Sequence, residues 1–267
     1  MIEIDPITRI MFYGKENEKV WLERIQKIQD AYYKTEFEAF KRGFRRVYVA
    51  HLDPAAVDTA LNEWYKEGML FFGITKTRQY SGFSHKHLEV GPGDLYYYYG
   101  ELVKQDDKEA AELFLKASGE GDHITQGKLL GYPKCCTEWF QNAWKESVDP
   151  MFEGAKRSDG AVMKNNVVTT RIHPFNNGML RYWGIQLNPW IHCSGTCKES
   201  IKLGKKWYDL MYEIDPQATK WAYELLSMPM TWDCYRSIAL INNDIFHGMT
   251  NSDYALVKKK VVNLGWK

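Results

Sequence analysis

Cys135, Cys136, Cys193 and Cys197 are the side chains in this sequence best suited to chemistry. The first two lie in Leu129-Leu130-Gly131-Tyr132-Pro133-Lys134-Cys135-Cys136-Thr137-Glu138-Trp139-Phe140. Gly131 breaks what precedes it, and Pro133 has the preset φ and missing N–H that suit a first helical position. Both cysteines then fall in a first helical turn, where unpaired N–H groups and the helix dipole favour a thiolate, the form that ligates metals. The second two lie in Pro189-Trp190-Ile191-His192-Cys193-Ser194-Gly195-Thr196-Cys197-Lys198-Glu199-Ser200. Thr196 and Glu199 have capping-box spacing, so a helix is expected to begin at about Cys197, with Cys193 in the loop before it.

Two helix starts thus each offer a cysteine pair, and their meeting would make a ligand set for zinc or an iron–sulfur cluster. Successive helical residues project about 100° apart, so Cys135 and Cys136 are not both expected to face one centre unless the turn is irregular. With one of them packed, the fourth ligand is the other cysteine, His192, His123 or a non-protein group. Three thiolates and an open position suit catalysis; four closed ligands suit structure. Neither pair has C-x-x-C spacing, and Cys197 shares a helical stripe with Ile201, Gly204, Tyr208 and Met211, so core packing is the competing account. Cys234, alone in TWDCYRS, reads as core.

The segments Leu130-Gly131-Tyr132-Pro133-Lys134-Cys135-Cys136 and Cys193-Ser194-Gly195-Thr196-Cys197-Lys198-Glu199-Ser200 resemble the DUF483 family of uncharacterised prokaryotic and phage proteins, over roughly residues 120 to 205. That family pairs a G-Y-P-x-C-C segment with a later C-S-x-x-C-x-x-S segment. A proline often precedes the first cysteine of its second motif; this chain has His192 there. The resemblance implies a cysteine site and brings no reaction.

The elements that must position these residues are read from periodicity. Residues 17–42 predict a helix, with Trp21, Ile25, Ile28, Tyr32, Phe37 and Phe40 near helical spacing. A strand (46–52), a helix (54–67) and a strand (69–75) form a strand–helix–strand unit. Residues 96–99 are strand or helix, and 107–118 a helix. GEGDH (119–123) punctuates the chain, placing a boundary between an N-terminal α/β region (1–118) and a cysteine-motif region (119–267), which together may fill one domain. Helices are expected at 133–144, 196–212 and 217–227, and strands at 165–172 and 178–185. Elements at 236–242 and 256–264 are weaker. The mixture predicts an α/β or α+β class: a mixed sheet with flanking helices and a cysteine-bearing helical second half.

Composition narrows the function. The chain has 267 residues and a formal net charge of +1, so it lacks the global field of a nucleic-acid-binding protein. The local basic runs 41–46 and 258–260 do not exclude such a partner and read as solvated faces. No run approaches the ~20 apolar residues of a membrane span, and the N-terminus lacks a signal-peptide pattern, so a cytoplasmic location and no membrane partner are expected. Ten Trp, 17 Tyr and 12 Phe make an aromatic-rich chain, as core fillers or as stacking surfaces for a planar ligand. His85 and His87 alternate and would share one face of a strand. His173 and Asn176-Asn177 read as a polar turn. Arg171 and Arg181 would clamp an anion if they lined one cleft. Gly91-Pro92-Gly93-Asp94 is a turn without the Lys-Ser/Thr of a phosphate loop. Three functions follow: an enzyme whose cysteine-bound metal or cluster acts on a small planar molecule such as a nucleobase, a zinc-stabilised binding module without catalysis, or a metal-free thiol redox protein.

Overall fold

The computed structural model describes residues 8–78, 90–145, 149–242, 244–250 and 258–266. In chain order the elements are β1 (Thr8–Phe12), α1 (Lys15–Lys41), β2 (Tyr48–Leu52), α2 (Val57–Lys66), β3 (Met69–Thr77), β4 (Tyr97–Lys104), α3 (Lys108–Glu120), α4 (His123–Leu129), α5 (Lys134–Lys145), α6 (Pro150–Lys156), β5 (Val162–Lys164), β6 (Val167–Thr170), α7 (Lys198–Ile214), α8 (Pro216–Ser227), β7 (Met230–Asp233), β8 (Ile238–Ile241), β9 (Phe246–Thr250) and β10 (Lys260–Asn263). This is an α+β fold. Among the described residues, no helix is long and apolar enough to cross a membrane.

The described residues fall into two compact units: 8–36 with 138–266, and 37–78 with 90–137. The first is built on a seven-stranded sheet of order β1-β9-β8-β7-β10-β6-β5, in which only β10 and β6 run parallel. Its core joins Trp21, Ile25, Ile28 and Tyr32 of α1 to Trp232, Phe246 and Val261 of the sheet and Ala222 and Leu225 of α8. One local device recurs in this unit. Asp149 and Asp215 each cap a helix whose first residue is proline, their carboxylates accepting from Phe152 N and from Gln217 N and Ala218 N.

The second unit is a three-stranded antiparallel sheet of order β2-β4-β3 with α2, α3 and α4. Residues 97–99 of the aromatic run open β4, which separates the two strands of the expected strand–helix–strand unit. On one face Val47, Val103, Ala110, Ala111, Phe114 and Leu129 pack together; on the other, Phe40, Met69 and Leu102. Residues 118 and 119 lie inside α3. Gly121, in the left-handed region, ends that helix, and Asp122 caps α4 at once by accepting from Ile124 N and Thr125 N.

The expected strand at 178–185 is absent. Residues 181–183 form a single 3₁₀ turn ended by Gly184 at φ +66°. Met179, Leu180, Trp183 and Ile185 are all buried, so this short apolar run is an irregular core segment, which periodicity does not separate from a strand.

Candidate metal centre

The first cysteine segment is set by close backbone approach. Gly131 sits at φ +72°, and a Cβ there would run into the Phe44 carbonyl oxygen. Tyr132 N donates to the Gly127 carbonyl at 2.8 Å, turning the chain sharply out of α4. Helix α5 then begins at Lys134, one residue later than expected. The Pro133 carbonyl accepts from Cys136 N at 3.0 Å and Thr137 N at 3.1 Å, so Pro133 caps the helix rather than opening it. Thr137 fills the space beside Gly127, where a Cβ would collide with it. Cys135 and Cys136 occupy the first turn, Cys135 half-buried and Cys136 buried.

The second segment is an irregular loop whose backbone is bonded from outside. Arg157 Nε donates to the Cys193 carbonyl at 3.0 Å, and Ser194 Oγ donates to the Arg157 carbonyl at 3.1 Å. Gly195 N donates to Ser158 Oγ at 2.9 Å, while the Gly195 carbonyl accepts from His173 N at 3.0 Å. Asp159 N donates to Thr196 Oγ1 at 2.9 Å. That bond takes Thr196 out of the expected capping box: Cys197 is the N-cap of α7, and it caps without a side-chain hydrogen bond. Cys193 is buried and Cys197 half-buried.

The four Sγ atoms of Cys135, Cys136, Cys193 and Cys197 all lie within 4.8 Å of one another. The 100° step between Cys135 and Cys136 does not keep them apart, because rotation about χ1 swings each sulfur away from its Cα direction. Zinc–thiolate bonds of about 2.3 Å in a tetrahedron place sulfurs roughly 3.8 Å apart, so the set is close to single-ion spacing. Cys135 and Cys136 stand at the N-terminus of α5 and Cys197 at that of α7, and Lys134 and Lys198 neighbour the cysteines in the chain.

His192 and His123 lie outside the four-ligand group. His192 is buried beside it in sequence, with Nδ1 at 2.8 Å from Ser200 Oγ. That hydroxyl also accepts from Trp190 Nε1 at 2.6 Å. Burial, helped by Arg181 and His173 and opposed by Cys197, lowers the His192 pKa to about 3, so the ring is neutral. His123 opens α4 and bonds Gln126 Oε1 at 2.9 Å. Cys234 is a core residue, 1% exposed, and burial pushes its thiol far up.

Among the described residues, the other candidates do not assemble a second site. Arg171 Nη1 donates to the Gly265 carbonyl at 3.0 Å and Arg181 Nη2 to the Pro189 carbonyl at 3.4 Å, so each holds backbone. His173 Nδ1 accepts from Phe175 N at 3.2 Å, and burial lowers its pKa to about 4. Arg46 is bidentate to Asp107, and Lys259 and Lys260 pair with Glu153 and Asp233, so both basic runs carry partnered charges. His85 and His87 lie outside the described residues.

Sequence reasoning reads Asn176 as part of a polar turn and passes over Arg157, Ser158 and Asp159; all four hold the second cysteine loop. A small chamber lined by Met151, Ile172, Asn176, Met179, His192 and Gly195 adjoins that loop. The chain matches no family model, no curated protein and no solved structure.

Proposed function

We propose that this protein is closed by one zinc ion held by the thiolates of Cys135, Cys136, Cys193 and Cys197, and that the ion serves the fold rather than a reaction. The observation that carries the reading is the mutual approach of all four sulfurs to within 4.8 Å. In a polynuclear iron–sulfur cluster the cysteines ligate different irons and stand outside a core of several atoms, which spreads the sulfurs apart. Sulfurs this close suit a single ion. Four thiolates also fill a tetrahedron, which leaves no open position for a substrate or an activated water, and closed sets of this kind are structural. Zinc takes such an all-sulfur tetrahedron without geometric strain and without redox chemistry. The metal would tie together two segments separated in sequence by residues 137–192. An enzyme acting on a nucleobase would instead need one of the four sulfurs to be released.

Elemental analysis with a visible spectrum of protein purified without oxygen tests this. One zinc per chain and no visible absorbance is the expected result. Iron with acid-labile sulfide would overturn the single-ion reading, and one iron without sulfide would overturn zinc alone. A chain that binds neither metal would reduce the four thiols to redox or packing roles.

A further inference from the structure

We infer that Asn176 is the positioning residue of the metal centre: its amide gathers three carbonyls of the 193–197 loop and so presents Cys193 and Cys197 to one ion. This rests on the single-ion reading above. Asn176 Nδ2 lies 3.3 Å from the Ser194 carbonyl, 3.4 Å from that of Gly195 and 3.3 Å from that of Cys197. One donor group thus addresses two of the four peptides between the two ligands and the first peptide beyond Cys197. Each of these carbonyls also accepts one backbone N–H, from Cys197, His173 and Ile201 in turn, so the amide adds a shared bond that ties the three together across the curve of the loop.

The orientation of the amide follows from the same contacts. Only NH₂, and not the carbonyl oxygen, fits against three acceptors. The opposite atom, Oδ1, is buried with no hydrogen-bond partner among the described residues, where the hydrogen bonds of this side chain all go to the loop. Asn176 is itself held rigidly. It is 4% exposed, and its N–H donates to the His173 carbonyl at 2.7 Å in the 3₁₀ turn Pro174–Asn176. The loop has little room to relax elsewhere, since a Cβ at Gly195 would lie 2.7 Å from Ser158 Oγ and 2.9 Å from Ile172 Cγ1. Outer groups that orient ligands in this way typically govern metal affinity by 10- to 100-fold.

The adjacent Asn177 supplies a matched control. It is 3% exposed, and its Nδ2 donates to the Leu226 carbonyl at 2.8 Å while Oδ1 accepts from Met179 N at 3.2 Å, away from the metal loop. Zinc affinity by chelator competition and the visible spectrum of the cobalt-loaded protein are to be measured for wild type, Asn176→Ala and Asn177→Ala. Asn176→Ala is expected to weaken zinc binding about tenfold or more and to shift the cobalt bands. Asn177→Ala is expected to lower Tm yet leave both metal readouts within about twofold of wild type, as an outer group without ligand contacts should. If Asn176→Ala does not fold, Asn176→Ser, which keeps one donor, is read against the same control. Equal zinc affinity and unchanged cobalt bands in the Asn176 variant would overturn the inference while the metal reading stood. A wild-type chain that takes up neither zinc nor cobalt would overturn both.

Discussion

Cys135 and Cys136 are carried by a regular helix start, whereas Cys193 and Cys197 are carried by a loop without repeating structure. In the first segment the backbone satisfies itself: the Pro133 carbonyl takes two N–H groups, and the glycine at 131 lets the chain pass against Phe44. In the second, Arg157, Ser158, His173 and Asn176 supply the bonds that the loop cannot make internally. A helix start is held by few groups and frays readily, while a loop bonded on several sides is pre-shaped for its ligand. On the single-ion proposal, the difference would give the metal unequal roles: it would find the second pair in place and recruit the first.

The largest effect should come from removing the ion. Cys136→Ser or Cys193→Ser is expected to abolish zinc binding. With free metal a thousandfold above Kd, binding contributes about 4 kcal/mol, or roughly 10 °C in Tm for a chain of this size. Hydrogen exchange on chelator-treated protein then tests the asymmetry. Protection at Gly195, whose N–H donates to Ser158 Oγ, and at Cys197, whose N–H donates to the Ser194 carbonyl, should persist. Protection at Cys136 and Thr137 should fall. Equal loss at both segments would break the contrast.

Two glycines probe the same contrast with a smaller effect. Gly131→Ala adds a side chain at positive φ and against a backbone carbonyl, and backbone has no rotamer by which to yield. Left-handed strain of about 1–2 kcal/mol and overpacking of about 1–3 kcal/mol combine there. Gly195→Ala meets side-chain atoms of Ser158 and Ile172 instead, and overpacking alone predicts about 1–3 kcal/mol. Chemical denaturation of the zinc-loaded variants should rank Gly131→Ala as the less stable. The reverse order would mean that the loop is the less forgiving segment.

This contrast also explains what was legible in the sequence. Gly131 and Pro133 announce a helix start by local chemistry, so Cys135 and Cys136 were placed in a first turn from the residues around them. The stripe Trp21, Ile25, Ile28 and Tyr32 of α1 was legible for a similar reason. The loop was less so. Thr196 and Glu199 had the right spacing for a capping box, but Asp159 N, remote in sequence, claims the Thr196 hydroxyl. No local pattern announces that Asn176 will face three carbonyls from residues 194–197. The convergence of the two pairs is read from residue type, from the two helix starts that carry them and from a family resemblance, not from any local pattern linking them. The angular argument against it failed because it followed Cα directions and ignored the reach of a rotating Cβ–Sγ bond.

Thiol reactivity sharpens the comparison further. Each pair has one buried and one half-buried cysteine: Cys136 and Cys193 inside, Cys135 and Cys197 at the edge. In metal-free protein, brief alkylation followed by peptide mass analysis should modify Cys135 and Cys197 first. Loading with zinc should protect all four, because a coordinated thiolate is a poorer nucleophile than one released from the metal. Cys234 should stay unmodified in both states while the protein is folded, since burial holds its thiol protonated. Early labelling of Cys136 would show that the helix start opens more fully without metal than the contrast requires.

The smallest effect concerns the buried carboxyls of the two units, which repeat the contrast away from sulfur. Asp149 is fully engaged: Phe152 N donates to Oδ1 at 3.0 Å and Trp232 Nε1 to Oδ2 at 3.1 Å. Glu101, on β4 in the other unit, is 3% exposed and its Oε2 has no hydrogen-bond partner among the described residues. That oxygen occupies the space above Gly73, where a Cβ would collide with it. Burial raises the Glu101 pKa from 4.5 to about 7, against the smaller opposing pull of a backbone hydrogen bond. The folded state therefore holds this proton more tightly than the unfolded chain, whose carboxyl ionises near the ordinary value. Glu101 favours folding most below pH 4.5, loses that advantage as pH rises through about 7, and changes nothing further above it. Glu101→Gln keeps a neutral group at every pH, so the fall in Tm between pH 5 and pH 8 should become shallower. The variant should come close to wild type at pH 5 and exceed it by several degrees at pH 8, since a pKa unit is worth about 1.4 kcal/mol and 1 kcal/mol shifts Tm by about 2–4 °C in a chain of this size. Parallel Tm curves for the two proteins across that range would mean that Glu101 finds a partner on ionising, and that the unit carrying Cys135 and Cys136 is no less well bonded than the other.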